Sequence, residues 1–273
     1  MNKQTILGID PAPSKESVVF DGQEFHLYKA KNLKIYIESL IDNSDFLLIG
    51  WDAPLTAAIY DDKINLYFRK IEKFFNSKLL DIPNGISTLG YAACPHWTIS
   101  QYIFGLPILN PYLQNSSITQ INSENELNQK GNYIVETHPA LSIWILLKDK
   151  LKDKAEFKNN VWRYKGNKGK KENKERLSIF IEKIFDLEIV KNTIGDKNAE
   201  NIKNEIKKSD SQMDDKLDAF ICWLNVKLLY EDKFNIKRNK NPNMKIYGDK
   251  NSGSFLLPYD KEIIEKLNEF LKQ

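Results

Sequence analysis

The first part of the chain alternates short apolar runs with polar turns, a pattern typical of buried β-strands. One apolar run covers residues 5–10 and stops at a pair of prolines, which predicts a strand that meets a loop. Two shorter runs, residues 18–20 and 24–28, flank Asp21-Gly22, which is a strong hairpin signal. We therefore expect the chain to begin with an antiparallel meander.

Three predicted strands end in an acidic residue. The first ends at Asp10, and later apolar strands end at Asp52 and Glu136. An amphipathic helix over residues 33–41 separates the first two, so we expect parallel pairing, with the carboxyl ends of the strands on one side of the sheet. Neighbouring strands lie about 4.8 Å apart, so Asp10 and Asp52 could share one cation. Any one of these acids alone is more simply explained as a loop-start residue.

A predicted helix over residues 211–230 carries carboxylates beside its apolar stripe. Asp215 and Asp218 lie about 60° apart around this helix and flank the stripe. Asp214 is explained as a capping partner of Ser211. Asp218 lies too deep for that role, so the pair has two readings, solvated surface or cation site. The stripe consists of Met213, Leu217, Ile221, Leu224 and Leu228.

Other segments are less informative. Apolar positions over residues 64–75 predict one helix with a wide buried face. Residues 82–120 predict loops and short helices over the sheet ends, and the polar residues 186–209 predict a surface insertion. The amphipathic tail, residues 260–272, predicts a helix that docks on the domain.

Five short motifs follow one another along residues 5–258. They are Gly8-Ile9-Asp10, Trp51-Asp52-Ala53-Pro54-Leu55, Glu136-Thr137-His138-Pro139, Asp215-Lys216-Leu217-Asp218-Ala219 and Gly248-Asp249-Lys250 with Phe255-Leu256-Leu257-Pro258. In this order they resemble the motifs of the predicted RNase H-like nucleases of domain-of-unknown-function family 429. The motif that contains Asp215 and Asp218 is also similar to the Asp-x-x-Asp-Ala motif of RuvC-type junction resolvases.

The resemblance implies an α/β fold with an RNase H-like mixed five-stranded sheet flanked by helices. The first three strands would be antiparallel, and the fourth and fifth parallel. We expect a single domain over residues 1–273, with insertions near 55–130 and 148–210.

The resemblance also implies a metal-dependent phosphodiesterase or nuclease that acts on RNA or DNA. Asp10, Asp52, Asp215 and Asp218 would be catalytic residues that hold one or two Mg²⁺ or Mn²⁺ ions, since hard cations prefer oxygen ligands. Glu136 would be a further catalytic residue, either as a ligand or as a group that orients water. Two such ions would activate water and stabilise the leaving oxygen.

Composition fits this view without deciding it. The 273 residues are 41% hydrophobic and 28% charged. From the sequence we expect no signal peptide, no membrane-spanning stretch and a cytoplasmic protein without a membrane partner. Cys94 and Cys222 are expected to be reduced, and Cys94-Pro95-His96 has no second Cys/His pair with which to form a zinc site.

Charge is concentrated in one segment. Between Lys148 and Arg176, basic residues outnumber acidic ones 12 to 5, with aromatic residues between them. Such a segment could follow a nucleic-acid backbone, and Lys165, Lys168, Lys170 and Lys171 are the candidate contacts. The alternative is a solvated loop in which an alternating strand, residues 161–165, holds Trp162 and Tyr164 in the core.

Two other functions compete with the nuclease. One is a catalytically silent nucleic-acid-binding or regulatory protein of the same fold, which the basic segment favours. The other is phosphoryl transfer from ATP, since some ATP-dependent folds also begin with an aspartate after the first strand. Against it, Asp10 leads into Pro11-Ala12-Pro13-Ser14 and not into a glycine-rich phosphate turn. Monomer and homodimer, the latter as in junction resolvases, both stay open.

Overall fold

A computed structural model describes residues 3–56, 58–60, 63–65, 68–86, 88, 96–105, 117–151, 162–165, 171–234 and 242–272. Its strands are β1 (Gln4–Asp10), β2 (Ser17–Phe20), β3 (Phe25–Tyr28), β4 (Phe46–Trp51), β5 (Ala58–Tyr60), β6 (Lys63–Asn65), β7 (Thr119–Gln120), β8 (Gly131–Glu136), β9 (Met244–Asp249) and β10 (Gly253–Pro258). Its helices are α1 (Ala30–Asn43), α2 (Lys70–Phe75), α3 (Trp97–Phe104), α4 (Pro139–Leu151), α5 (Lys171–Phe185), α6 (Glu188–Ile194), α7 (Asp196–Lys208), α8 (Met213–Phe234) and α9 (Lys261–Leu271).

The central sheet is mixed, as predicted, but the described residues contribute six strands to it, in the order β3-β2-β1-β4-β8-β7. The first three strands are antiparallel neighbours, and β4 and β8 continue in parallel. The prediction of five strands was wrong because β7 adds a parallel sixth beside β8. With only Thr119 and Gln120, β7 is too short to produce an alternating pattern.

Two hydrophobic cores lie on opposite faces of this sheet. Leu7 and Ile9 of β1 face one core, which includes residues of α1 and α3. Because strand side chains alternate, Gly8 and Asp10 face the other side, where α8 packs. The acidic end of β1 is thereby directed toward the acidic helix.

Glycines let α8 approach the sheet closely. Gly8 and Gly50 are partners in the β1–β4 register. A Cβ added at Gly8 would lie 2.1 Å from the carbonyl oxygen of Ala219, and one at Gly50 would lie 2.5 Å from that of Cys222. Only glycine fits at these two positions, and the backbone of α8 therefore rests on the backbones of β1 and β4.

The predicted helix over residues 64–75 is wrong in its first half. Residues 63–65 form β6, which pairs with β5, and α2 begins only at Lys70. The backbone of Arg69 is extended, and its N–H donates to the Glu72 side chain at 2.6 Å. This capping contact fixes the start of the helix in a way that apolar spacing alone does not reveal.

The later segments form mostly helices. The polar insertion contains α6 and α7, and α7 buries Ala199, Ile202 and Ile206. The predicted docking of the tail is confirmed, since α9 begins at the capping residue Asp260 and buries Ile263 and Leu267. Strands β9 and β10 form a separate hairpin, which meets the end of β8 through a bridge between Thr137 and Leu256.

In the described ranges, no helix is both long enough and apolar enough to cross a membrane.

Candidate active site

The strand register brings the predicted acids Asp10 and Asp52 together. Ile9 of β1 pairs with Trp51 of β4, so the two aspartates follow at the same level of neighbouring strands. The Asp52 N–H continues the ladder by donating to the Ile9 carbonyl at 3.0 Å. The expected parallel pairing is confirmed, and the structure shows that β1 and β4 are neighbours.

The helix α8 adds the other two acids from above. Ala219 and Trp223 lie over Gly8, so the residues one turn earlier in α8 lie above the carboxyl ends of the strands. Asp218 is completely buried there, and Asp215 is nearly so. The four aspartates thus come from three elements and converge on one end of the sheet.

A lysine and a tyrosine from the basic segment enter this cluster. The Tyr164 hydroxyl donates to Asp218 Oδ1 at 2.7 Å, and the ammonium group of Lys165 forms an ion pair with Asp218 Oδ2. The same ammonium lies 3.5 Å from Asp52 Oδ2. Lys165 is therefore a cation held between Asp52, which follows β4, and Asp218 of α8.

A second lysine neutralises the remaining helix acid. Lys15, in the turn between β1 and β2, forms an ion pair with Asp215. Its side chain is 46% exposed, whereas that of Asp215 is only 12% exposed. The cluster holds four carboxylates against these two ammonium groups, which leaves excess negative charge when all of them are ionised.

Burial and the charges of neighbouring aspartates raise the pKa values of Asp10 and Asp218. Burial raises the pKa of Asp10 well above its usual value, Lys165 opposes the rise, and the charges of Asp218, Asp52 and Asp215 add to it. Burial likewise raises the pKa of Asp218 to about 7, against the lowering effect of Lys165.

The pKa of Lys165 is raised, whereas the pKa of an isolated buried amine would be lowered. Burial by itself would lower the pKa of Lys165, but the charges of Asp218 and Asp52 outweigh burial and raise its pKa well above the usual value. Lys165 is therefore a permanent cation at neutral pH, and part of its stem remains in solvent, with 45% of the side chain exposed.

Glu136 belongs to a different buried cluster. Both of its carboxylate oxygens accept from the guanidinium of Arg69, one of them at 2.8 Å, and Arg69 also pairs with Glu72. The Leu55 N–H donates to Glu136 Oε2 at 3.1 Å. Glu136 therefore ties β8 to the loop after β4 and to α2, and its role as a catalytic residue stays a prediction.

A cleft of about 540 Å³ opens beside the aspartates. Asp10, Asp52 and Asp215 line it, and Glu136 borders it as well. Cationic side chains line the same cleft as these acidic residues. These cationic side chains are Lys15, Arg163 and Lys165, and the imidazoles of His96 and His138 also line the cleft.

The lysines predicted to contact nucleic acid do not all lie in the same part of the structure. Lys165 lies in the aspartate cluster, whereas Lys171 is 90% exposed at the start of α5 and lies 3.9 Å from Glu175. Lys168 and Lys170 lie outside the described residues.

The alternative prediction for Trp162 and Tyr164 is confirmed in their burial, but the strand that it predicted is not present in residues 162–165. Trp162 and Tyr164 are buried, but residues 162–165 have no strand assignment, and Val161 lies outside the described residues. The segment is instead held by hydrogen bonds, since the Trp162 N–H donates to the Asn84 carbonyl at 2.7 Å and Arg176 donates to the Arg163 carbonyl at 3.1 Å.

Two contributors to the site were not predicted. Lys15 follows Asp10 by five residues in a tight β1–β2 connection, and that closeness was a usable signal. No local signal in the sequence indicated the role of the Tyr164 hydroxyl, because its partner Asp218 is 54 residues away in the chain.

The ligand atoms of the aspartate cluster are of the type that Mg²⁺ and Mn²⁺ prefer, but the aspartates are not spaced as ligands of one ion. Every candidate ligand is a carboxylate oxygen, which hard divalent cations prefer. Within the described part of the chain, however, no three His, Cys, Asp or Glu side chains converge closely enough to hold a metal ion. The ammonium of Lys165 lies between Asp52 and Asp218, where a shared ion would be bound.

Comparisons with family models, with curated proteins and with solved structures produced no match. The resemblance to RNase H-like nucleases therefore stays a prediction from the motifs.

Proposed function

We propose that this protein is a phosphodiesterase that depends on Mg²⁺ or Mn²⁺ and cleaves RNA or DNA. The observation that supports it is the convergence of Asp10 and Asp52, at adjacent strand ends, with Asp215 and Asp218 of α8 beside an open cleft. Burying so many carboxylates together costs free energy, and residues in a cleft whose pKa values are strongly perturbed by burial and by charged neighbours are candidates for a functional site.

We assign the site residues two roles, metal binding and attraction of the substrate. Asp10, Asp52 and Asp218, with Asp215 beside them, would hold the ion, and Tyr164 keeps the Asp218 carboxylate oriented through its 2.7 Å hydrogen bond. A bound Mg²⁺ or Mn²⁺ supplies Lewis acidity and lowers the pKa of a coordinated water.

Cationic side chains that line the cleft would attract the substrate. Lys15 and Arg163 line the cleft and would attract a phosphate group toward the aspartates. The exposed Lys171 lies further out and would contact the backbone of a longer substrate.

Cleavage of labelled single-stranded and duplex RNA and DNA tests the proposal. We expect cleavage with Mg²⁺ or Mn²⁺, none with chelator, and loss of cleavage in Asp10→Asn and in Asp218→Asn. Asp42→Asn changes an exposed aspartate of α1 and serves as the matched control. Cleavage that persists in both site variants would refute the assignment.

One observation favours a second candidate, a nucleic-acid-binding protein without catalysis. Lys165 already neutralises Asp218 and approaches Asp52, an arrangement that a silent site could keep permanently. Tight binding of RNA or DNA, with no cleavage of any substrate in either metal, would select this candidate.

A further inference from the structure

The strongest unexplained contact in the site is the one between Lys165 and the carboxylates. A nucleic-acid contact would extend toward solvent, yet the ammonium of this lysine turns inward, to Asp218 and to Asp52 at 3.5 Å. It therefore occupies the space between β4 and α8 that a cation shared by these acids would need.

The lysine can leave this position without disturbing the backbone that carries it. Residues 162–165 are held by the Trp162–Asn84 hydrogen bond at 2.7 Å and the Arg176–Arg163 hydrogen bond at 3.1 Å, neither of which involves the Lys165 side chain. Nearly half of that side chain, 45%, is already exposed, and its four-carbon stem rotates freely. Withdrawal of the ammonium group by a change of rotamer would therefore break neither of these two hydrogen bonds.

We propose that Lys165 is the resident cation of the aspartate cluster and that a divalent metal ion binds by displacing its ammonium group into the cleft. The proposal rests on the proposed function, because it concerns the same metal site. The exchange keeps the buried carboxylates neutralised in both states, and it brings a free ammonium to the cleft only when the ion is bound. The site therefore attracts phosphate most strongly in its metal-loaded state.

Calorimetric titration with Mn²⁺ alone measures the competition. Lys165→Met removes the competing charge and keeps an unbranched side chain of similar length, so we expect Mn²⁺ to bind about tenfold more tightly than to the unmodified protein, or better. Lys171→Met removes an exposed lysine of the same segment and should leave Mn²⁺ affinity unchanged.

Lysine labelling of the unmodified protein gives a second readout that needs no variant. An acetylating ester reacts with free amines, so Lys165 should be labelled slowly in chelator and severalfold faster in Mg²⁺, as measured by mass spectrometry. Lys171 should be labelled equally in both conditions, because it is exposed throughout.

The outcomes separate the two proposals. Mn²⁺ binding that is equal or weaker in Lys165→Met, or Lys165 labelling that does not respond to Mg²⁺ when the metal does bind, overturns the exchange and leaves the metal site standing. Absence of Mn²⁺ binding in both proteins overturns the proposed function and the exchange with it.

Discussion

The contact between α8 and β1 predicts a large effect for the smallest possible substitution, Gly8→Ala. The added Cβ would lie 2.1 Å from the carbonyl oxygen of Ala219 and 2.1 Å from the amide nitrogen of Trp223. Both atoms belong to the backbone of the helix, so no rotamer change relieves the overlap. The helix must move away by about 0.9 Å to bring this contact from 2.1 Å to 3.0 Å.

Overpacking in a core usually costs about 1 to 3 kcal/mol, and backbone atoms on both sides place this case at the upper end. We therefore expect Gly8→Ala to lower the free energy of unfolding by about 3 kcal/mol. The movement also carries Asp218 away from Asp10 and Asp52, because the acid directly precedes Ala219 in α8. Divalent-ion affinity should therefore fall together with stability.

Urea unfolding followed by circular dichroism measures the first effect, and calorimetric titration with Mn²⁺ measures the second. Gly105→Ala is the control, since, apart from its chain neighbours, no described residue places an atom within 4 Å of the added Cβ, and its φ of 65° is the unfavourable feature. That backbone term costs about 1 to 2 kcal/mol. A Gly8→Ala protein that is as stable as the unmodified chain would refute the close packing of α8 on β1.

Three further predictions address charge and capping. Arg69→Met leaves two buried glutamates without their cation and should cost about 3 to 5 kcal/mol in urea unfolding, whereas Lys261→Met, in an exposed ion pair, should cost less than about 1 kcal/mol. Equal losses would argue against the buried cluster. Asp218 has a folded-state pKa of about 7 against an ordinary 3.8, so the folded state retains a proton that the unfolded state releases. Stability should therefore fall as pH rises from about 4 to about 7, and the fall should be shallower in Asp218→Asn; identical slopes would contradict this. Asp260→Ala removes the side chain that accepts from the Ile263 N–H at 3.0 Å and should lower stability by about 1 kcal/mol, with Asp260→Asn less affected.

Local patterns were sufficient for the strands that build the site. Apolar runs, prolines and the Asp21-Gly22 turn predicted β1 to β3, and the apolar run before Asp52 predicted β4. Each of these signals acts within a few residues. The parallel pairing of β1 with β4 followed from the intervening helix.

Where the sequence failed, the deciding interaction was either very short or distant along the chain. The start of α2 depends on a capping contact with Glu72, and Arg69 is fixed there by Glu136, which lies 67 residues away. Apolar spacing over residues 64–75 is compatible with a helix that starts earlier, but residues 63–65 pair with β5, and the buried ion pairs of Arg69 hold the residue that precedes α2. Propensity is a weak prior when tertiary contacts compete with it.

The same distinction explains what could be predicted about the aspartate cluster. Its acidic half follows from local patterns, since Asp10 and Asp52 end strands and Asp218 lies beside the apolar stripe of its helix. Buried like charges of this density require a cation, so the sequence predicted a need for positive charge. It could not predict the source, because Lys165 is 113 residues from Asp52 and 53 from Asp218 and follows no local rule.

A cation supplied by the chain itself changes what the carboxylates reveal about function. Four converging aspartates alone would favour a metal site, but aspartates that already contact Lys15 and Lys165 satisfy much of their charge within the protein. The decisive quantity is therefore the relative affinity of the cluster for an ammonium group and for a divalent ion. A divalent ion carries twice the charge and binds several oxygens at once, whereas the ammonium is tethered and so has a high effective concentration. If the ion displaces the ammonium group at millimolar Mg²⁺, the result supports the proposed metal-dependent phosphodiesterase; if the lysine keeps its place, the result favours the alternative proposal of a binding protein without catalysis.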